Sequence, residues 1–215
     1  MANLPKVLLT GFEPFAGASM NPSQEIVRII SADAASFKNI ELHCAILPVE
    51  YSAAEMQLIE LAESLEADFV ISLGQAEGRT KVSFEKVAIN LDDASLADNS
   101  GETRMNQPID ASDREAYFSS LTIEHMLKAV KAVDVPAAVS LSAGSFVCNH
   151  AFYAISAWAE KASAKRQTKV RAGFIHVPLI DEQAGEFEGK PTLPLNDQVT
   201  AIRAALGVLG RADES

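Results

Sequence analysis

Short, almost unbroken apolar runs alternate along this chain with longer segments whose apolar residues recur every three or four positions. The runs at 6–10 (KVLLT), 40–47, 68–73 (DFVISL), 136–142 (PAAVSLS) and 170–177 (VRAGFIHV) read as buried strands. The first helix is opened by Asn21-Pro22, an N-cap residue followed by the one residue that loses nothing at the first helical position. Ile26, Val27, Ile29 and Ile30 supply its apolar side. A second helix follows Ser52-Ala53-Ala54-Glu55, which has capping-box spacing, and carries Met56, Ile59, Leu61 and Leu65. Further helices are predicted over 122–133, 149–163 and 195–209. Segment 81–91 reads as extended. The polar stretches 92–110 and 185–194 read as loops, the first long enough to suggest a functional role.

Strands that are apolar on both faces and alternate with amphipathic helices predict an α/β fold. The expected form is a single-domain three-layer α/β/α arrangement around a mostly parallel twisted sheet, spanning 1–215. In such sheets, sites form beyond the carboxyl ends of the strands. The strand ends here are chemically distinctive: Gly11-Phe12-Glu13-Pro14-Phe15, Gly74-Gln75, the segment leading from 136–142 to Cys148, and His176-Val177-Pro178.

Composition adds limits. The 215 residues are 48% hydrophobic, enough for a sizeable core. A net charge of −11 with scattered Lys and Arg argues against nucleic acid or an anionic membrane as partner. No apolar run approaches a membrane span, and the first residues lack the pattern of a signal peptide, so a cytoplasmic location is expected. Two cysteines, Cys44 and Cys148, do not make a disulfide framework. Neither His43-Cys44 nor Cys148-Asn149-His150 has zinc-site spacing, and Gly11 and Gly17 form no dinucleotide fingerprint, so no cofactor or metal is expected.

Cys148 is the candidate nucleophile. It stands at a strand-to-helix junction, where free main-chain N–H groups and the helix dipole favour a thiolate. Cys44, inside an apolar run, reads as a core residue. A catalytic thiol needs a base held by a third group. His176 ends an apolar strand and is preferred over His150, which lies two residues beyond Cys148 and is turned away from it on a helix. His43 and His125 read as a strand residue and a solvated helix residue. For the third group, Glu85 interrupts an apolar extended run. From spacing alone it is equally a solvated edge residue, and Asp92 and Asp93 are nearby alternatives.

Together these segments resemble the pyroglutamyl peptidase I (pyrrolidone-carboxylate peptidase) family of cysteine peptidases. The resemblance runs from Leu8 to about Ile180. It rests on Thr10-Gly11-Phe12-Glu13-Pro14-Phe15, Asn21-Pro22-Ser23, Gly74-Gln75-Ala76, the six residues from Glu85 to Asn90, Ser142-Ala143-Gly144, Val147-Cys148-Asn149-His150 and His176-Val177-Pro178. Each is short; their order is specific. The resemblance implies a Cys148, His176 and Glu85 triad that removes N-terminal pyroglutamyl residues from peptides without a cofactor, in a homo-oligomer, often a tetramer. It implies Phe12, Phe15, Phe146 and Val147 as pocket walls, and Gln75 as hydrogen-bond partner of the lactam, whose amide a Gln side chain could match with donor and acceptor. The chain departs from the family at Ala16 and Glu77, where glycine is usual, at Ala97, where proline is usual, and at Ser95, where many members carry an arginine placed near the active site. Arg104 is the candidate replacement for that arginine. The alternatives left open are a thiol amidase with another acyl specificity and a pyroglutamate-binding protein without turnover.

Overall fold

The computed structural model describes residues 4–210; the outermost residues of the expected 1–215 domain lie outside that range. In chain order, the first part holds β1 (Lys6–Phe12), α1 (Pro22–Ala32), β2 (Glu41–Leu47), α2 (Tyr51–Leu65), β3 (Phe69–Gln75) and β4 (Val82–Glu85). Four short strands follow: β5 (Val87–Ile89), β6 (Asp92–Ala94), β7 (Arg104–Gln107) and β8 (Ala116–Phe118). The remainder comprises α3 (Ile123–Lys131), β9 (Ala137–Ser140), α4 (Val147–Arg166), β10 (Arg171–Val177) and α5 (Leu195–Leu206).

Six strands form the central sheet in the order β2-β1-β3-β10-β4-β9. Four of its pairings are parallel, and β4 against β10 is antiparallel. Successive strand side chains point to opposite faces, and the two cores follow that alternation. Val7, Leu9, Ile71, Leu73, Ile175 and Val177 pack under α1, α3 and α5. Leu8, Val70, Ala172 and Phe174 pack under α2 and α4. This is the expected three-layer α/β arrangement, because strands covered on both faces have to be apolar on both.

Two expectations change. β9 runs with β4 and therefore against β1, β3 and β10, so its carboxyl end does not join theirs; the segment after Ser140 brings the chain to Cys148 instead. A hydrophobic pattern carries no strand direction. The predicted loop 92–110 contains the β6–β7 hairpin. Asp98 organises it, its Oδ1 accepting from the main-chain N–H groups of Ser100 and Glu102. Its Oδ2 accepts from Tyr51 N at 3.1 Å. The cap of α2 is thus supplied by a distant carboxylate. The expected capping box does not form: Ser52 Oγ accepts from Arg104, and Glu55 meets His150.

Candidate active site

Gly74 on β3 lies beside His176 on β10, which in turn lies opposite Ser83 on β4. Glu85, two residues along β4, shares the face of Ser83, so Glu85 and His176 meet diagonally beneath α4. The His176 Nδ1 to Glu85 Oε1 distance is 2.8 Å. A carboxylate can only accept, so Nδ1 carries the hydrogen and Nε2 is left with a lone pair. Glu85 is fully buried, and Arg79 Nη1 reaches the same Oε1 at 2.8 Å. That guanidinium balances a charge that would be costly alone. Arg79 also donates to Ser142 O at 3.0 Å, tying the turn before α4 to the same pair.

Cys148 is the second residue of α4. The first intrahelical bond near it is His150 N to Phe146 O at 3.1 Å. The N–H groups of the preceding three residues therefore have no acceptor within the helix. The thiol rests on the sheet at the position a Gly74 side chain would fill: a Cβ there would lie 2.9 Å from Sγ and 2.8 Å from the Phe174 ring. Only glycine lets the sulfur sit there, on the strand next to that of His176. The thiolate expected at this junction is not the resting form. Burial first, and the Glu85 charge second, push the thiol up to about 12, outweighing Arg79 and the residue's own N–H. Burial also lowers the pKa of His176 against the pull of Glu85, and Arg79 lowers it further. Burial thus favours the neutral form of both the thiol and the imidazole. Cys44, half-buried, is likewise pushed up, to about 11, by burial.

Aromatic rings flank this site. Phe15, from the turn after β1, faces Phe146 with ring centroids 6.1 Å apart. Phe146 in turn receives the edge of Tyr51 at 5.5 Å. Phe12 is buried against Phe174 at 6.2 Å, and Val147 is buried in the same core. Gln75 differs from expectation. Its neighbour Gly74 presents the α4 side, so the Gln75 side chain points to the other face, where its Oε1 accepts from Gln183 Nε2 at 3.0 Å. The side chain's acceptor is thereby committed. Its main chain is placed otherwise. Ala76 N bonds Val177 O, so the N–H and C=O of Gln75 turn toward β1. The β1–β3 register ends earlier, at Thr10 and Ser72. β1 is also where the strand order reverses, the usual place for a ligand crevice in an open α/β sheet.

A second polar cluster lies along α4. His150 Nδ1 meets Asp92 Oδ2 at 2.8 Å and its Nε2 meets Glu55 Oε2 at 3.1 Å. These carboxylates outweigh burial and raise the His150 pKa, while His150 lowers that of Glu55. Arg104 pairs with Asp92 at 3.0 Å and lies 4.5 Å over the Tyr51 ring. Arg104 thus serves this cluster, and the guanidinium on Glu85 is that of Arg79. Sequence reasoning passed over Arg79, Asp98 and Gln183. Arg79 had a local signal: it ends the loop after Gly74-Gln75, close in sequence to the strand of Glu85. His43 pairs with Glu41 at 2.8 Å, and His125 is exposed.

Known proteins are similar along nearly the whole chain. The family model described as pyroglutamyl peptidase matches residues 5–212. The pyrrolidone-carboxylate peptidase of Cupriavidus necator is 42% identical over 200 residues, 93% of this chain and 90% of that protein. Pyrrolidone-carboxylate peptidase 1 of Caldanaerobacter subterraneus is 38% identical over 207 residues, covering 96% and 98%. The crystal structure of pyroglutamyl peptidase I from Bacillus amyloliquefaciens superposes with a TM-score of 0.86 at 34% identity, covering 94% of this chain and 95% of that one. The chain belongs to the pyroglutamyl peptidase family.

Proposed function

We propose that this protein is a cysteine peptidase that removes an N-terminal pyroglutamyl residue from peptides, with Cys148 as nucleophile, His176 as base and acid, and Glu85 as the group that orients His176. The observation that carries the reading is the meeting of β3, β10, β4 and α4: a thiol seated over Gly74 and, on the neighbouring strand, an imidazole tethered at 2.8 Å to a buried carboxylate.

The resting pair is neutral, so charge separates only as the substrate reacts. Sγ attacks the pyroglutamyl carbonyl while its proton passes to His176 Nε2, and Glu85 stabilises the imidazolium that results. The carbonyl oxygen takes up negative charge beside the free N–H groups of the first α4 turn. His176 then protonates the departing amine, leaving a thioester. It next draws a proton from water, which attacks the thioester and releases pyroglutamate and the Cys148 thiol. Arg79 pairs with the same Glu85 oxygen that orients His176.

Pyroglutamate is a flat neutral lactam. The rings of Phe15 and Phe146, backed by Phe12 and Val147, offer it apolar walls. The main-chain N–H and C=O of Gln75 offer one donor and one acceptor in the β1–β3 crevice, the complement of a lactam amide. A proline ring, lacking the carbonyl, would leave the donor unpaired. A reducing cytoplasm suits a catalytic thiol in a chain whose two cysteines are both free. No helix among the described residues is long and apolar enough to cross a membrane. We place the working form as a homo-oligomer, supported by the exposed apolar side chains of Val139, Leu141 and Phe118 around β9.

Hydrolysis of a pyroglutamyl-aminocoumarin by the purified protein in reductant tests the reading, beside Cys148→Ser. The wild type releases the fluorophore, and the variant falls at least about a thousandfold. No release from folded wild type would overturn the assignment in favour of another acyl group or a binding role.

A further inference from the structure

Gln183 ends a short 3-10 turn, Asp181–Gln183, and is completely buried. Its carboxamide is fully engaged. Oε1 accepts from Ile180 N at 3.2 Å, which fixes the oxygen end of the amide, since a main-chain N–H can only donate. Nε2 then supplies both hydrogens outward: one to Met20 O at 3.2 Å, one to Gln75 Oε1 at 3.0 Å. One side chain therefore joins three segments that are remote in sequence: the turn after β1 that carries Phe15, the end of β3 at Gln75, and the loop that follows His176. Two surface contacts run the same way. Ser19 Oγ donates to Glu186 at 2.9 Å, and Lys190 pairs with Glu77 at 2.9 Å. The 181–190 segment is thus strapped to both strand ends, with Gln183 as the buried knot.

We propose that Gln183 is a positioning residue for the acyl pocket: by gripping Gln75 from behind the sheet and Met20 beside it, it fixes the distance between the main-chain groups of Gln75 and the ring of Phe15. This rests on the reading of the site as a pyroglutamyl pocket. Gln183 lies behind the strand, on the face opposite Cys148, and its side-chain hydrogen bonds go to Ile180, Met20 and Gln75 rather than to Cys148, His176 or Glu85. Its loss therefore loosens recognition of the lactam and leaves the thiol chemistry intact. A buried amide with every hydrogen bond made holds one geometry, and a partly made network holds several.

The test is Gln183→Met, with Gln183→Glu as a second variant that keeps the acceptor for Ile180 N and removes both donors. KM for a pyroglutamyl-aminocoumarin is expected to rise about tenfold, the value of roughly one hydrogen bond, with kcat within about threefold of wild type. The concentration of 2-pyrrolidone that protects Cys148 from iodoacetamide rises in parallel, and the alkylation rate without ligand is unchanged. A role in folding alone gives a different result: it lowers the fraction of active protein, hence apparent kcat, and leaves KM where it was. That result, or unchanged KM and unchanged protection in both variants, overturns the inference while wild-type turnover upholds the peptidase reading. Wild type that neither cleaves the substrate nor is protected by 2-pyrrolidone overturns both.

Discussion

At the scale of single residues, the site depends on a missing side chain. Gly74 is the seat of the Cys148 sulfur, and any Cβ there competes with Sγ and with the Phe174 ring at contact distances below 3 Å. Gly74→Ala is therefore expected to keep the fold at a cost of about 1–3 kcal/mol from overpacking. It should cut kcat/KM by about a hundredfold, because the thiol is displaced from His176. Parallel melting curves and progress curves check this; a variant with wild-type kcat/KM would refute the seating. The proposed triad was only partly legible in the sequence. Cys148 and His176 stood out by position at strand ends and a helix start. Glu85 was ambiguous from spacing, since an edge strand and a buried diagonal neighbour of His176 give the same local pattern. Arg79 escaped because its role exists only through the burial of Glu85, which is a tertiary fact. The resemblance implies Gln75 as the partner of the lactam, and the chemistry of a carboxamide suggests its side chain; alternation along β3, with Gly74 facing Cys148, sends that side chain the other way.

At the scale of elements, apolar periodicity located the six sheet strands, β4 within its longer extended run, and the five helices, because burial on both sheet faces leaves that imprint. It missed the β6–β7 hairpin, whose order comes from Asp98, Asn99 and Arg104 rather than from apolar contacts. It also misread the start of α2, capped from afar. The hairpin is bound to α4 and α2 through His150, held between Asp92 of β6 and Glu55 of α2, with Arg104 of β7 on Asp92 and the Tyr51 ring edge-on to the imidazole. The folded pKa of His150 is raised above 6.5, so its proton binds the native state more tightly than the unfolded chain. The stabilisation is complete below the unfolded value and is lost as pH rises through the folded one. Denaturant melts are expected to show wild type losing stability across that alkaline window relative to His150→Gln, whose profile lacks this component; parallel profiles for the two proteins would refute the coupling.

At the scale of the whole molecule, the sheet is open at β9. Val139 on that edge is 43% exposed, Leu141 just beyond it 75%, and Phe118 on β8 69%. Main-chain bonds from Lys86 N to Ser140 O and from Ser119 N to Lys86 O bring these segments together, so the apolar residues share one region of surface. An apolar, unpaired strand edge is a liability that proteins cover. Sedimentation velocity at micromolar concentration is expected to give a multiple of the 23.0 kDa chain, with Leu141→Lys and Phe118→Lys shifting it toward the monomer. A wild-type monomer at that concentration would remove the homo-oligomer from the proposal.

The seat of Cys148 has one more consequence, for the life of the protein between substrates. Peroxides and disulfides react with sulfur in its anionic form. A thiol whose pKa is raised by burial and by the Glu85 charge presents little of that form at rest. The environment that defers proton transfer until an acyl group arrives therefore also slows the reaction of the sulfur with oxidants between turnovers.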